Sequence, residues 1–277
     1  MNVKTWFITG TSTGLGRVMT ERLLARGDRV FATLRSPGAL DELLAEYGEQ
    51  LHILLLDVTD TAAIRRAVQT AFDRAGHIDV LVSNAGYGLF GAAEEVSDTQ
   101  IDRQISTNLT GSIQFIRAAV PYLRRQGGGR IVQVSSEGGQ IAWPNFSLYH
   151  ATKWGIEGFI ESVAQEVAPF GIDFLIAEPG PTDTNFASGV DIAQQMDCYD
   201  DTPAGDVRRG LVDGSIAILG DAAKTAEAII AAADADTPPF RLALGSKAYH
   251  SIRDALNTRI QILEETRTVA LSVDKDL

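Results

Sequence analysis

Tyr149 and Lys153 stand four residues apart in the stretch SLYHATKWG, at residues 147–155. If this stretch is a helix, positions i and i+4 lie on the same face, so the phenol and the ammonium share a small volume. A phenol with its ordinary pKa of about 10 exchanges protons poorly near neutrality, and an adjacent ammonium favours its ionised form. The pair therefore predicts a tuned acid/base. A core tyrosine with a lysine extended beside it has the same spacing, so other parts of the chain must separate the two interpretations.

A glycine-rich loop lies near the start of the chain, in the stretch TGTSTGLG at residues 9–16. It follows an apolar run typical of a strand and precedes a helical pattern. Gly10, Gly14 and Gly16 would let a phosphate approach the backbone, and the helix start would offer free N–H groups and a partial positive charge. The spacing differs from the common G-x-G-x-x-G fingerprint, and a tight turn between strand and helix also favours glycine. Three glycines within seven residues at this junction favour a dinucleotide site.

The end of the next strand indicates which dinucleotide would bind. In such a unit an acidic residue there binds the ribose 2′-hydroxyl of NAD, whereas an arginine accommodates the 2′-phosphate of NADP. The sequence reads VFATLRSPG, with Leu34 where the acid would stand and Arg35 directly after it. Guanidinium can bind phosphate through two hydrogen bonds, and Ser12 in the glycine loop could add another. Arg35 alone is equally well explained as a solvated loop charge. Because Leu34 replaces the acid, the pattern predicts NADP(H) rather than NAD(H).

These residues need a scaffold that brings strand ends together. Short, almost continuously apolar runs alternate with longer helical patterns, as in a parallel sheet that is covered on both faces. The order predicts an α/β fold, a doubly wound parallel β-sheet of Rossmann type in a single domain with helices on both faces. The predicted strands are residues 5–9, 29–34, 51–56, 80–83, 130–134, 172–177 and 241–244. The predicted helices are residues 16–26, 41–47, 61–75, 98–125, 149–170, 222–233 and 246–268, with a capping box of Ser97 and Gln100 before the fourth.

Six short motifs follow one another along the chain. They are the glycine loop, SNAG at 83–86, STNLTG at 106–111, VSS at 134–136, YHATK at 149–153 and EPG at 178–180. In register with the alternating strands and helices, they make the chain resemble the short-chain dehydrogenase/reductase family in its single-domain, NADP-preferring form. The stretches FATLR and GPTDTNF are similar to those of hydroxysteroid dehydrogenase-type members. The resemblance covers residues 5–186 closely and is thinner up to residue 245, and Ser83 stands where the family usually has asparagine.

The resemblance implies catalytic roles for four residues. Tyr149 would be the acid/base, and Lys153 would bind the nicotinamide ribose and lower the pKa of the tyrosine. Ser136 would polarise the substrate carbonyl, and Asn108 would hold a water of the proton relay. The implied reaction interconverts a ketone or aldehyde and an alcohol; the cofactor supplies the hydride and the protein the proton. A non-catalytic NADP(H)-binding sensor of the same fold is the alternative, but it would not need Ser136, Tyr149 and Lys153 together.

The resemblance also implies a set of cofactor-binding residues. Asp57 would contact the adenine, and Thr184 would hold the nicotinamide carboxamide. Glu137 and Glu178 add acid near the site and receive no role. The full implied set is Gly10, Ser12, Gly14, Leu15, Gly16, Leu34, Arg35, Asp57, Val58, Asn84, Ala85, Gly86, Lys153, Pro179, Gly180, Thr182 and Thr184.

The composition limits the partners. The chain has 277 residues, a formal net charge of −12 and one cysteine, Cys198. The acidic balance disfavours a nucleic-acid binder, and a lone cysteine suits a reducing compartment. No signal-peptide pattern opens the chain and no apolar run approaches about 18 residues, so we expect a cytoplasmic protein without a membrane span. The four histidines lack ligand spacing, so no metal is predicted, and His150 is expected at the surface.

The chain divides into three functional parts on this interpretation. The cofactor part would span about residues 1–180, a substrate loop or lid about 182–220, and a C-terminal helix about 246–268. Residues 138–146 and the segment after residue 184 would form the substrate wall. Its aromatic candidates are Tyr87, Phe90, Trp143, Phe146 and Phe186, of which Trp143 and Phe146 are equally well explained as loop packing. They favour a small hydrophobic carbonyl or alcohol substrate, and the family's helix pairing implies a homodimer or homotetramer.

Overall fold

The computed structural model describes residues 3–215 and 217–275. Strands and helices alternate along it, as the sequence predicts. The strands are β1 (Thr5–Thr9), β2 (Arg29–Leu34), β3 (Leu51–Leu55), β4 (Val80–Ser83), β5 (Leu89–Phe90), β6 (Gly129–Val134), β7 (Ile172–Pro179), β8 (Thr182–Asp183), β9 (Asp191–Ile192), β10 (Gly220–Asp221) and β11 (Arg241–Leu244). The helices are α1 (Gly14–Arg26), α2 (Asp41–Tyr47), α3 (Thr61–Ala75), α4 (Asp98–Ile105), α5 (Ser112–Gln126), α6 (Ser147–Val167), α7 (Pro203–Val212), α8 (Ala222–Asp234), α9 (Ser246–Glu265) and α10 (Arg267–Leu271).

Seven of these strands form one parallel sheet in the order β11-β7-β6-β4-β1-β2-β3. The chain winds outward from β1 in both directions, with β2 and β3 on one side and the later strands on the other. Open α/β sheets bind ligands in the crevice where the strand order reverses. The carboxyl ends of β1 and β4, at Thr9 and Ser83, therefore mark the place where a site is expected.

Helices cover both faces of this sheet. Side chains alternate along β1, so Trp6 and Ile8 join the core on the face of α1 and α8, whereas Phe7 joins the core against α3, α5 and α6. All three side chains are fully buried. The prediction of a doubly wound, single-domain α/β fold is confirmed. No helix among the described residues is both long and apolar enough to cross a bilayer.

The helix predicted over residues 98–125 is interrupted. A π-helical turn at Ser106–Gly111 separates α4 from α5, and the predicted capping box of Ser97 and Gln100 opens α4. Gly111 packs so closely that a Cβ there would lie 2.7 Å from the Val58 carbonyl oxygen. The turn also directs Asn108 inward, where only 2% of it is exposed. Helical patterns flank this short turn on both sides and no side-chain cap or proline marks it, so the sequence pattern did not reveal the interruption.

The segment predicted as a loop or lid contains regular structure. Helix α7 lies within it, β8 pairs with β10, and β9 pairs with β5 across the cleft entrance. The predicted C-terminal helix is present as α9, followed by the short α10. The first half of α9 packs on the rest of the domain through Ala248 and Ile252.

Candidate active site

A cleft of about 2050 Å³ opens at the carboxyl ends of the central strands. It is lined by the glycine loop, by the ends of β2, β4, β6 and β7, and by the segment that contains α7. Two residues of the predicted site, Gly16 and Asn108, lie behind its wall rather than on it. The others line it together: Gly10, Ser12, Gly14, Leu15, Leu34, Arg35, Asp57, Val58, Asn84, Ala85, Gly86, Ser136, Tyr149, Lys153, Pro179, Gly180, Thr182 and Thr184.

The glycine loop is held by close backbone packing. Gly10 has φ +71°, and a Cβ there would lie 2.8 Å from the Ala85 Cα. Gly16 packs directly against the glycine loop, because a Cβ added there would lie 2.3 Å from the Gly10 carbonyl oxygen. The Asn84 side-chain amide donates to the carbonyls of Thr9 (2.9 Å) and Gly10 (3.0 Å), which clamps the loop to β4.

The start of α1 suits a bound phosphate. The helix begins at Gly14 without a side-chain cap and without an acidic residue in its first turn, and Gly14 and Leu15 line the cleft, so N–H groups that lack a helical partner are available there. A Cβ on Gly14 would meet only Thr184, at 3.9 Å. The residues present therefore fit the pyrophosphate of a dinucleotide.

Two neighbouring side chains at the end of β2 lie in different surroundings. Leu34 is 3% exposed and packs into the core, whereas Arg35 is exposed at the cleft. At the end of the neighbouring strand β3, hydrogen bonding by the Thr59 backbone N–H, with Arg35 and Arg103 adding attraction, lowers the pKa of Asp57. Arg103 lies over the ring of Tyr87 at 5.2 Å and also lines the cleft. Arg103 was not predicted, because a charged residue on the exposed face of an amphipathic helix is ordinary.

Tyr149 and Lys153 meet on one face of α6 at the cleft. The Lys153 ammonium lies 5.5 Å from the centre of the Tyr149 ring and donates to the Val134 carbonyl at 3.0 Å. Burial raises the pKa of Tyr149 to about 12; hydrogen bonding with Ser136 opposes this rise, and the carboxylates of Glu137 and Glu157 add to it. Burial lowers the pKa of Lys153 to about 8, against the influence of Glu157. In the protein alone, burial therefore outweighs any lowering of the tyrosine pKa by the lysine.

Ser136 and Asn108 reach the same region from different elements. The Ser136 hydroxyl follows β6, accepts a hydrogen bond from the Gly138 N–H (3.1 Å) and points toward the Pro179 carbonyl (3.5 Å). The Asn108 amide donates to the Tyr87 carbonyl (2.8 Å) and accepts from the Tyr87 N–H (3.1 Å). Ser136 thus stands at the cleft, whereas the Asn108 side chain holds the loop that follows the NAG element.

His150 is buried, so its expected surface position is wrong. Only 6% of it is exposed, its Nδ1 lies 2.8 Å from the Gly138 carbonyl, and its Nε2 accepts from the Trp143 N–H at 2.8 Å. Burial lowers the pKa of His150. The loop after β6 folds over the start of α6 and covers this side of the helix, which the local sequence pattern could not show.

The substrate side of the cleft is aromatic near Tyr149 and aliphatic toward its entrance. The rings of Phe146 and Phe186 lie 6.2 and 5.9 Å from that of Tyr149, and Phe90 packs on Phe146 at 5.1 Å. All five aromatic residues expected at the wall line the cleft. The exposed aliphatic side chains that line it are Ile192, Leu211, Val212, Ile218 and Leu219. Over the described part of the chain, no group of three or more His, Cys, Asp and Glu side chains is arranged to hold a metal ion.

Comparison of the sequence with known proteins found a matching family and similar proteins. A family model described as short chain dehydrogenase matches residues 4–195. The chain is 37% identical over 247 residues to the oxidoreductase BOA17 of Botryotinia fuckeliana, covering 88% of this chain and 90% of that protein. It is 34% identical over 187 residues to a 3-ketodihydrosphingosine reductase of Bacteroides thetaiotaomicron, covering 68% of this chain and 67% of that protein.

Solved structures share the fold. A short-chain dehydrogenase from Streptomyces avermitilis superposes with a TM-score of 0.91 at 38% identity, covering 99% of both chains. More distant structures with the same fold, at 24% and 22% identity, hold NADH and NADP respectively. The fold is therefore one that these solved structures share.

Proposed function

The chain belongs to the short-chain dehydrogenase family and is an oxidoreductase of that type, and from this premise we propose that it interconverts a ketone or aldehyde and an alcohol with NADP(H), using Tyr149 as the acid/base. The single observation that carries this proposal is the meeting of Ser136, Tyr149 and Lys153 in the cleft that also contains the glycine loop. A sensor that only binds a dinucleotide has no use for those three groups together.

The dinucleotide would lie along the ends of the central strands. The N–H groups at the start of α1 would bind its phosphates, Asp57 its adenosine part and Thr184 its carboxamide. When bound, the cofactor supplies or accepts the hydride. Arg35 favours NADP(H), because it offers an exposed guanidinium at the end of β2, where Leu34 is turned into the core and no carboxylate would repel a 2′-phosphate.

The proton would come from Tyr149. With a pKa raised to about 12, its phenol is protonated at neutral pH and can donate to the carbonyl oxygen during reduction. The Ser136 hydroxyl would donate a second hydrogen bond to that oxygen as negative charge develops on it. In the oxidative direction Tyr149 must lose its proton, and the Lys153 ammonium, 5.5 Å from the centre of the ring, would favour the phenolate.

The substrate would be a hydrophobic carbonyl compound or the matching alcohol. Phe146 and Phe186 flank Tyr149, and exposed aliphatic side chains surround the entrance, so an apolar body can bind beyond the reacting carbon. The similarity to a reductase named for a keto sphingoid substrate supports a long apolar chain over a small polar ketone.

We also propose where the protein acts and how it assembles. Cys198 is free and exposed, which suits the reducing cytoplasm.

The outer face of α6 exposes Trp154 (44%) and leaves open space at Gly158, and we propose that this face contributes to a homodimer or homotetramer. Light scattering of the purified protein measures the mass of the assembly.

A cofactor-depletion screen tests the proposed function. Oxidation of NADPH and of NADH is followed by the absorbance of the reduced nicotinamide, with a panel of aliphatic, aromatic and polycyclic ketones as substrates. Reduction of NADP⁺ is followed in the same way with the matching alcohols. We expect turnover of hydrophobic ketones with NADPH. Tight NADPH binding without turnover of any substrate would favour the sensor instead.

A further inference from the structure

Helix α6 carries a third ionisable residue on the face of its reactive pair. Tyr149, Lys153 and Glu157 follow one another at intervals of four residues, so their side chains line one side of the helix in successive turns. Glu157 is 2% exposed. A buried carboxylate is unfavourable unless it is paired and hydrogen-bonded, so its partners matter.

The Glu157 carboxylate has two anchors on other elements. It accepts a hydrogen bond from the Ser135 hydroxyl, at the end of β6, and another from the Arg241 guanidinium at 2.6 Å, on β11. Its oxygen also fills the space beside Gly139, where a Cβ would lie 1.8 Å from it. The carboxylate is therefore wedged against the backbone that carries Ser136.

Arg241 connects Glu157 to a second buried carboxylate. The guanidinium also binds Glu178, which is 1% exposed and accepts two hydrogen bonds from the Gln140 amide at 2.8 and 2.9 Å. Its outer edge binds Glu161 at 2.7 Å, whose side chain is 54% exposed. Glu157 and Glu178 carry two formal negative charges, and Arg241 carries one positive charge. The Lys153 ammonium brings the sum over these four side chains to zero.

We propose that Glu157 is a positioning residue for the reactive pair: its carboxylate stands one turn along α6 from Lys153, and its hydrogen bond with Ser135 fixes the strand end that carries Ser136. This inference rests on the proposed function for its catalytic meaning, but the charge interaction itself exists in the protein without substrate. Other charged groups face the pair as well. Glu137 acts on Tyr149 from the loop after β6, and Lys247 on α9 acts on Glu137.

The direction of the effect follows from the surroundings of each group. Burial holds the pKa of Lys153 at about 8, and Glu157 raises it against that burial. Glu157 also contributes to the rise in the pKa of Tyr149. Removing its charge should therefore move both titrations to lower pH, and removing Arg241 should move them to higher pH, because two carboxylates then act without compensation.

Site-specific labelling tests the charge interaction without any turnover. Competitive acetylation of lysines across a pH series, read by peptide mass spectrometry, gives the midpoint for Lys153. In Glu157→Gln we expect that midpoint to fall by about one pH unit, and in Arg241→Met to rise. Glu161→Gln is the matched control, since it lies on the same helix, binds the same guanidinium and should leave the midpoint where it is.

The same variants then link the charge to the reaction. The alkaline limb of the kcat profile for ketone reduction should move to lower pH in Glu157→Gln, and Glu157→Asp, which keeps the charge, should recover part of the shift.

If Glu157→Gln does not fold, Arg241→Met carries the test in the opposite direction. Labelling midpoints that match the wild type in both variants would overturn the proposal, even if thermal stability fell. A wild-type protein that reduces no ketone would instead count against the proposed function, while the labelling midpoints would still decide this inference.

Discussion

The Lys153 ammonium lies 5.5 Å from the centre of the Tyr149 ring while it donates a 3.0 Å hydrogen bond to the backbone carbonyl of Val134. Helix spacing alone brings the two side chains to the same side of α6. The hydrogen bond to the end of β6 then restricts the lysine, which has a long and flexible side chain, to one position. The charge beside the phenol is thus fixed by the sheet as much as by the helix.

Replacing the phenol should remove the proton transfer and little else. In Tyr149→Phe we expect kcat for ketone reduction to fall by about two orders of magnitude or more, because no other acid would be in place to protonate the carbonyl oxygen. NADPH binding, followed by fluorescence titration, should stay within a few-fold of the wild type. Tyr249→Phe, at a position 55% exposed on α9, is the matched control. Retained turnover in Tyr149→Phe would show that another residue is the acid.

Arg35 should decide the choice of dinucleotide. A charge-assisted contact of this kind contributes about 1.5–3 kcal/mol, so Arg35→Ser should raise the KM for NADPH roughly ten- to hundredfold while the KM for NADH changes little. The neighbouring Leu34 is a poor position for the reverse change, because an aspartate there would be buried in the core. Arg66→Ser, at an exposed position on α3, controls for the loss of surface charge. An unchanged ratio of the two KM values would exclude a phosphate contact at Arg35.

Burial of Lys153 should make stability depend on pH. Its pKa is about 8 in the folded protein and 10.5 when unperturbed. Between those values the unfolded chain binds the proton and the folded one does not, so the free energy of unfolding rises with pH across this window. The total contribution is on the order of 3 kcal/mol.

A comparison with Lys153→Met isolates that contribution. Urea unfolding at a series of pH values from about 7 to about 10 should show the wild type gaining stability relative to the variant. The methionine variant should be at least as stable as the wild type near pH 7, where the lysine is buried with its charge, although its turnover should be lost. Lys275→Met, at an exposed position after α10, is the control. Parallel stability curves for wild type and Lys153→Met would contradict the burial effect.

The aliphatic entrance should show in the response to chain length. Each buried methylene contributes about 0.8 kcal/mol, so kcat/KM should rise about fourfold for every carbon added to a series of methyl ketones until the cleft is filled. Leu211→Ser and Val212→Ser together should flatten the rise for long ketones and leave short ones unaffected. Val269→Ser, at a position 69% exposed on α10 and outside the cleft, is the control. A flat response in the wild type would mean that the entrance does not bind the substrate.

Several features were determined by the sequence itself. The strands at 5–9, 29–34, 80–83 and 241–244 were predicted with the bounds that the structure has, because apolar runs and their turn residues act locally. The glycines around residue 10 and the four-residue spacing in YHATK depend only on neighbours along the chain. The same local rules indicated that the strand ends would meet at one crevice, where nearly all the predicted site residues now lie together.

Other features were decided only by tertiary structure. The Lys153 hydrogen bond joins residues 19 apart, and the Glu157–Arg241 contact joins residues 84 apart. The burial of His150 depends on a loop that folds back over its helix. The pKa values of Tyr149 and Lys153 are set mainly by burial, which is a property of everything packed around them. A residue's type and spacing are written in the chain, but the solvent that it loses and the distant charge that it gains exist only after folding.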